Sequence, residues 1–405
     1  MVKGLLFRYR IWIFATGFMV CGGALLLLLQ FFYSTGRASQ QVFIHDTAHI
    51  APGYVLVSAT NAQYGKQGEV RLIDADGHVV HTWQTRYQTL EAIVEENGNL
   101  MAAMTPPINP SDYPSNGTTG ILQELDWDGK VLWEYRDNRM THDFDVLPDG
   151  SVAYTRWALA PQWFAQSVQG GMEVATSSVW TNEIVVVNKE KKITWTWAAH
   201  DHLNPARYPV NNSVPRSDWS HLNSLRYIGD NPLTHVPAFL ISIRDISTVF
   251  IIDAKTGGVI WQSPEDMFSL QHDATLLQNG HILVFDNGLF RPKGPPILLS
   301  RVVEVDPNTN AIVWTYDGGT GGQVGFATSI AGGAQRLLNG NTLITVSTTG
   351  RIYEVREDGT IVWEYVSDFR NDEGAARMVF KARKYSGEGT TWGPLITNLM
   401  PSWQR

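Results

Sequence analysis

The sequence predicts an all-β fold: a six-bladed β-propeller preceded by a single N-terminal transmembrane helix. Three observations carry that prediction. A strand–turn–strand phrase recurs six times, a histidine holds the same place in three repeats, and an uncharged apolar run lies near the N-terminus.

The recurring phrase ends in tryptophan. Trp133, Trp195, Trp261, Trp314 and Trp363 each follow a turn residue by four positions: Gly129, Lys191, Gly257, Asn310 and Gly359. ELDWDGKVLWEY and EVREDGTIVWEY are typical, and RLIDADGHVVHTW, ending at Trp83, is a looser sixth copy. Glycine or asparagine suits the positive φ of such a turn, and the β-branched and aromatic flanks suit pleated strands. A second hairpin fills the other half of each repeat, as in HDFDVLPDGSVAYT, HDATLLQNGHILVFD and GAQRLLNGNTLITVS. Each repeat of roughly 50 to 65 residues then holds four short antiparallel strands, the blade of a propeller. A β-sandwich with chance similarity is the alternative. The first blade lacks an opening strand before Gly53. The late segment Arg377-Met378-Val379-Phe380-Lys381 has no partner of its own and is expected to supply it, closing the ring and removing exposed edges.

The expected order is a cytoplasmic N-terminus (1–10), a transmembrane anchor (11–33), a linker (34–50), the propeller (51–385) and a C-terminal tail (386–405). Residues 11–33 carry no charge, and about 20 apolar residues suffice to span a bilayer. Lys3, Arg8 and Arg10 precede the run and only Arg37 follows closely, so the positive-inside rule places the propeller outside the cytoplasm, held at the inner membrane. A cleaved signal peptide is the rival, but its apolar region is usually shorter, and Phe31-Phe32-Tyr33 is a poor cleavage site. Cys21, the single cysteine, falls inside the run, which leaves the propeller without a disulfide or a cysteine-based zinc site. A net charge of −8 argues against nucleic acid as a partner.

His142, His221 and His272 each precede a turn glycine by eight residues, in THDFDVLPDG, SHLNSLRYIG and QHDATLLQNG. In a ring of repeats, equivalent positions converge on one axis. The long connections, 106–120, 157–182, 198–219, 288–299 and 317–330, fall on the face where these strands begin. Arg244 in LISIRDIS and Arg156 in VAYTRW end second strands and reach the same face, and Asn223 follows His221 by two. Guanidinium groups present a rigid donor fork to oxyanions, while imidazoles serve as base, acid or nucleophile near neutral pH. Together they suit transfer of a sulfuryl or phosphoryl group. Histidines that simply fill a channel are the plainer alternative.

Three histidines can also bind zinc, but a neighbouring arginine repels a cation, so neither a metal nor a cofactor is expected. His200-Asp201-His202 lies in a Pro/Asn-rich loop and is expected at the surface. Trp157, Trp163, Phe164 and Trp180 can wall a pocket for an aryl group or pack the third-blade insertion down.

From about Thr141 to Tyr385 the chain resembles the bacterial aryl-sulfate sulfotransferase family, most closely at HDFDVLPDG, DWSHLNS, SIRDISTVFIID and QHDATLLQNGHILVFDNG. The resemblance implies a periplasmic six-bladed propeller that moves a sulfuryl group from a phenolic aryl sulfate to a phenol acceptor without a nucleotide donor. It implies that His272 is the nucleophile, becoming sulfated, and that His142, His221 and Arg244 hold sulfate oxygens and handle protons. The family's characterised members resemble a propeller preceded by a β-sandwich domain. Here residues 34–50 leave no room for one between the apolar run and the first blade. A second reading is a non-catalytic propeller subunit docked on a respiratory or photosynthetic membrane complex, to which Gly17, Gly22 and Gly23 would contribute close helix packing. A third, a quinoprotein, rests on DAKTGGVIW. Its weaknesses are the low blade count and the absence of a vicinal cysteine pair.

Overall fold

Alternating apolar residues between Gly- and Asn-centred turns produce antiparallel hairpins along nearly the whole chain. In the computed structural model, the described residues are 41–60, 64–108, 113–114, 117–174, 176, 178–229, 231–291, 299–318, 326–370, 374 and 378–388. The expected membrane anchor, residues 11–33, lies outside them. Among the described residues no helix is long and apolar enough to cross a membrane.

The described strands form six antiparallel blades. Their inner strands are Arg383–Tyr385, Thr89–Val94, Met140–Val146, Leu222–Ile228, His272–Leu276 and Gly333–Arg336. The ring closes as expected in kind but not in place. Arg383–Tyr385 pairs with Tyr54–Leu56, whereas the backbone pairing of the expected closing segment with the first blade, among the described residues, is a bridge between Thr60 and Met378. Arg377 lies outside the described residues. Val379 and Phe380 are buried in contacts between blades and Lys381 is buried at the axis, so the apolar run signalled packing rather than pairing. A second difference concerns the segment read as a linker. Within it, Val42–His45 pairs with Tyr365, Glu364 and Trp363 as a fifth, outermost strand of the last blade.

The repeated tryptophans have a specific task. Five of the six indoles reach the third turn of the following blade. Trp83 donates to the Asp126 carbonyl at 3.0 Å, Trp133 to Lys189 at 2.9 Å, Trp314 to Glu357 at 2.9 Å and Trp363 to Ala75 at 2.7 Å. Trp261 donates instead to the Asn310 side chain at 3.1 Å. In the third blade the job passes from Trp195 to Trp197, which reaches the Gly257 carbonyl at 3.0 Å, while Trp195 stacks on Phe239. The ring is thus stapled blade to blade by indoles whose one polar atom is satisfied, those of Trp83, Trp197 and Trp363 being buried.

The long connections of blade 3 are not bare loops. They contain the short helices Gln162–Ser167 and Ala199–His202 and a parallel pair, Gly170–Met172 with Val210–Pro215. Phe164, Leu203, Tyr208, Val214 and Trp219 pin this insertion to one apolar cluster with the sheets of blades 3 and 4.

Candidate functional site

The inner strands of blades 2 to 5 share an irregularity. Pairing register shifts between Thr89 and Glu91, opposite His142 and Asp143, between Leu222 and Ser224, and between His272 and Thr275. A bulge re-aims side chains that a regular pleat would send to alternate faces. His142 and His221 occupy left-handed backbone, with φ of 43° and 48°, and Asp273 does the same at 47°. Non-glycine residues bear a cost there, and such strain is concentrated at functional sites.

The bulges bring His142 and His221 together, with ring centroids 4.5 Å apart. Trp157 stands edge-on to both, at 6.2 and 6.3 Å, and anchors its indole on the Thr118 hydroxyl at 3.3 Å. His272 and Arg244 lie close enough to complete one electrostatic unit. Burial first, and then the fields of His221, His272, Arg244 and Lys381, hold His142 well below the usual imidazole range. Burial and Arg244 do the same to His272. Burial pushes His221 down to about 4, against the pull of Asp245. All three imidazoles are therefore neutral near pH 7.

Each ring is held differently. His142 Nδ1 bonds the Thr141 hydroxyl at 2.6 Å, and its Nε2 lies under Gly117, where a Cβ would fall only 2.1 Å away. His272 Nδ1 bonds Asn287 Oδ1 at 2.7 Å, and the Asn287 amide is oriented by the carbonyls of Thr328 and Ala331. That orientation makes Nδ1 the donor and leaves the lone pair on Nε2, which accepts the Ala331 N–H at 3.2 Å. His221 Nδ1 bonds Asp218 Oδ2 at 2.6 Å. Its Nε2 has no hydrogen-bond partner among the described residues, and its side chain keeps 12% exposure while His142 and His272 are closed off.

Arg244 pairs with Asp245 at 2.5 Å through Nη1, and its Nε–H is buried with no partner among the described residues. Asn223 donates to the Gln271 carbonyl at 2.8 Å, which leaves its Oδ1 as a buried, unpaired acceptor. Asp218, His221 and Asp245 together have the donor set of a small metal site. Arg244 already supplies the positive charge that Asp245 faces, which disfavours a divalent ion there.

Arg156 is not part of this cluster. Its guanidinium is clamped by Glu183 at 2.6 Å and Asp137 at 3.1 Å, one residue along the strand from Trp157, which faces the histidines. Of the other aromatics, Phe164 packs on Trp219, Trp163 is 57% exposed, and Trp180 meets Tyr113. His200 bonds the Thr181 hydroxyl and His202 stacks on Trp197, so the two are engaged separately.

The sequence-derived site omitted Asp218, Asp245, Asn287, Gly117 and Lys381. Asp218 stands three residues before His221 within DWSH, a spacing that hinted at a local hydrogen bond. Lys381 announces itself only in three dimensions. It sits at the axis with Asp143 at 3.1 Å, Glu91 at 3.3 Å and Asp273 at 3.5 Å. Arg226 and Arg383 complete this axial cluster, on which the residues following His142 and His272 are fixed.

The sequence model of the family described as arylsulfotransferase (ASST) matches residues 115–368, which hold all four clustered side chains. The chain belongs to the arylsulfotransferase family. No curated protein matches it in sequence. Among solved structures, a protein of unknown function from Bacteroides caccae has a similar fold, with TM-score 0.52 and 13% identity over 82% of this chain and 99% of that one. Two lyases are more distant. A catalytically inactive virginiamycin B lyase from Staphylococcus aureus gives TM-score 0.40 and 11% identity over 76% of this chain and 75% of that one. A streptogramin B lyase gives 0.44 and 10% over 85% and 97%. As an arylsulfotransferase-family propeller, the chain presents His142, His221, His272 and Arg244 in a single cluster.

Proposed function

We propose that this protein transfers a sulfuryl group from an aryl sulfate to a phenol through a sulfated His272. The observation that carries the reading is the locked tautomer of His272. Asn287 fixes the proton on Nδ1, so Nε2 holds the lone pair that a nucleophile requires. When Nε2 gives up the Ala331 N–H, it attacks sulfur, the S–O bond to the aryl group breaks, and a phenolate leaves. The acceptor oxygen then attacks the same sulfur, the S–N bond breaks, and the acceptor proton passes to a base. The unpaired Nε–H of Arg244 is a donor for the sulfuryl oxygens, whereas the unpaired Oδ1 of Asn223 suits a hydroxyl proton instead. The test is sulfate transfer between phenols by the purified chain without a nucleotide donor, and its loss in His272→Ala.

In this reading residues 11–33 anchor the chain in the inner membrane and the propeller works on the periplasmic side. A second reading, a docking subunit of a membrane complex, is favoured by one feature. Exposed apolar pairs recur on outer strands at Val131 and Leu132, Val259 and Ile260, and Ile312 and Val313. Co-purification with a larger assembly in mild detergent, lost when these pairs are replaced by serine and threonine, tests it.

A further inference from the structure

We propose that Asp218 is a positioning residue that makes His221 the base for the acceptor hydroxyl and the acid for the leaving phenolate. The inference rests on the sulfuryl-transfer reading and assigns a role to a residue that this reading leaves out.

The geometry divides the labour among the three imidazoles. His142 is covered by Gly117, and His272 is occupied on both nitrogens by Asn287 and Ala331. Only His221 combines an open Nε2, residual exposure and a carboxylate directly behind Nδ1. The carboxylate is itself unusual. Asp218 is 3% exposed, and its Oδ1 is buried with no hydrogen-bond partner among the described residues. A buried acidic oxygen left unpaired is costly unless the group serves another purpose.

The groups facing the pair are His142 and Trp157 from blade 3, Arg244 and Asp245 from blade 4, and His272 from blade 5. Burial raises Asp218 to about 7, opposed by Arg244. Once Asp218 has lost its proton it accepts the Nδ1–H of His221, and the lone pair stands on Nε2. The dyad is then ready to take the acceptor's O–H proton as the new S–O bond forms and the S–N bond to His272 breaks. In the donor half-reaction the same nitrogen, protonated, returns that proton to the departing phenolate. Base capability therefore rises with pH through about 7.

Asp218→Asn tests this in the full-length protein, with folding checked by thermal melting. The half-reactions are followed separately, because nitrophenolate leaves without needing a proton. The variant should release nitrophenolate from nitrophenyl sulfate within about threefold of wild type. It should pass the sulfuryl group to phenol about 10²-fold more slowly and lose the rising limb near pH 7. A nitrophenol acceptor, already ionised, should be sulfated equally by both. Uniform loss across donors and acceptors would show a structural role and overturn the proposal, as would an unchanged rate with phenol. A wild type that transfers to no acceptor would instead overturn the sulfotransferase reading itself.

Discussion

His142 and His221 come from different blades, yet their ring centroids stand 4.5 Å apart at an interplanar angle of 55°. Both backbones are left-handed at the same point of the repeat, and both rings are neutral near pH 7. A proton on either ring raises the cost of one on the other.

Protonation therefore links the site to stability, with opposite signs for its two kinds of group. His272 is depressed from an ordinary 6.5, so its stabilising share is present above that value and lost as pH falls. Asp218 is raised from 3.8 to about 7, so its share is present below 3.8 and lost as pH rises through 7. Urea unfolding should show His272→Gln gaining on wild type between pH 7 and pH 5, and Asp218→Asn gaining on wild type in the reverse direction. Parallel curves would contradict these charge states.

Gly117 presses on His142 Nε2, and a methyl group there cannot be accommodated without moving the ring. Gly117→Ala should cost about 1–3 kcal/mol of stability. It should also slow transfer more than that loss of folded protein explains, measured on protein held well below its melting temperature. Unchanged turnover would remove His142 from the site.

The tryptophan staples differ in their acceptors. Trp363 is 1% exposed and donates to a main-chain carbonyl, whereas Trp261 donates to an exposed side chain. Trp363→Phe should cost about 1–3 kcal/mol, because the Ala75 carbonyl is left unpaired. Trp261→Phe should cost less than about 1 kcal/mol from its hydrogen bond. Equal costs would mean that packing alone holds the ring.

At the axis, Lys381 answers three carboxylates together with Arg226 and Arg383. Lys381→Met should destabilise by about 3–5 kcal/mol, since a buried charge loses its partner. Glu91 faces Lys381 at 3.3 Å and burial raises its pKa, so adding Glu91→Gln should be non-additive with Lys381→Met. Additive losses in the double variant would show that the cluster is not one unit.

Much of this was legible in the chain. The tryptophan period and the turn residues gave the blades, because hairpin periodicity and left-handed turn positions are local properties. The register of His142, His221 and His272 announced their clustering for the same reason. What the sequence hid were contacts between distant segments. The closing strand Arg383–Tyr385 is too short for a period to register, and Val42–His45 adds a strand that no repeat announced. Arg156 matched Arg244 in position, but its alternation along the strand carries it to Asp137 and Glu183. Asp218 and Asn287 were invisible as site residues because their value lies in which nitrogen they bond.

The most direct test is to expose the protein to an aryl sulfate with no acceptor present, quench in alkali and map the modification by mass spectrometry. The account predicts one added sulfuryl group on the peptide bearing His272, present in Asp218→Asn, absent in His272→Ala, and formed about 10²–10³-fold more slowly in Arg244→Ala. A sulfuryl group on another residue, or turnover to a phenol with no modified histidine, would contradict it.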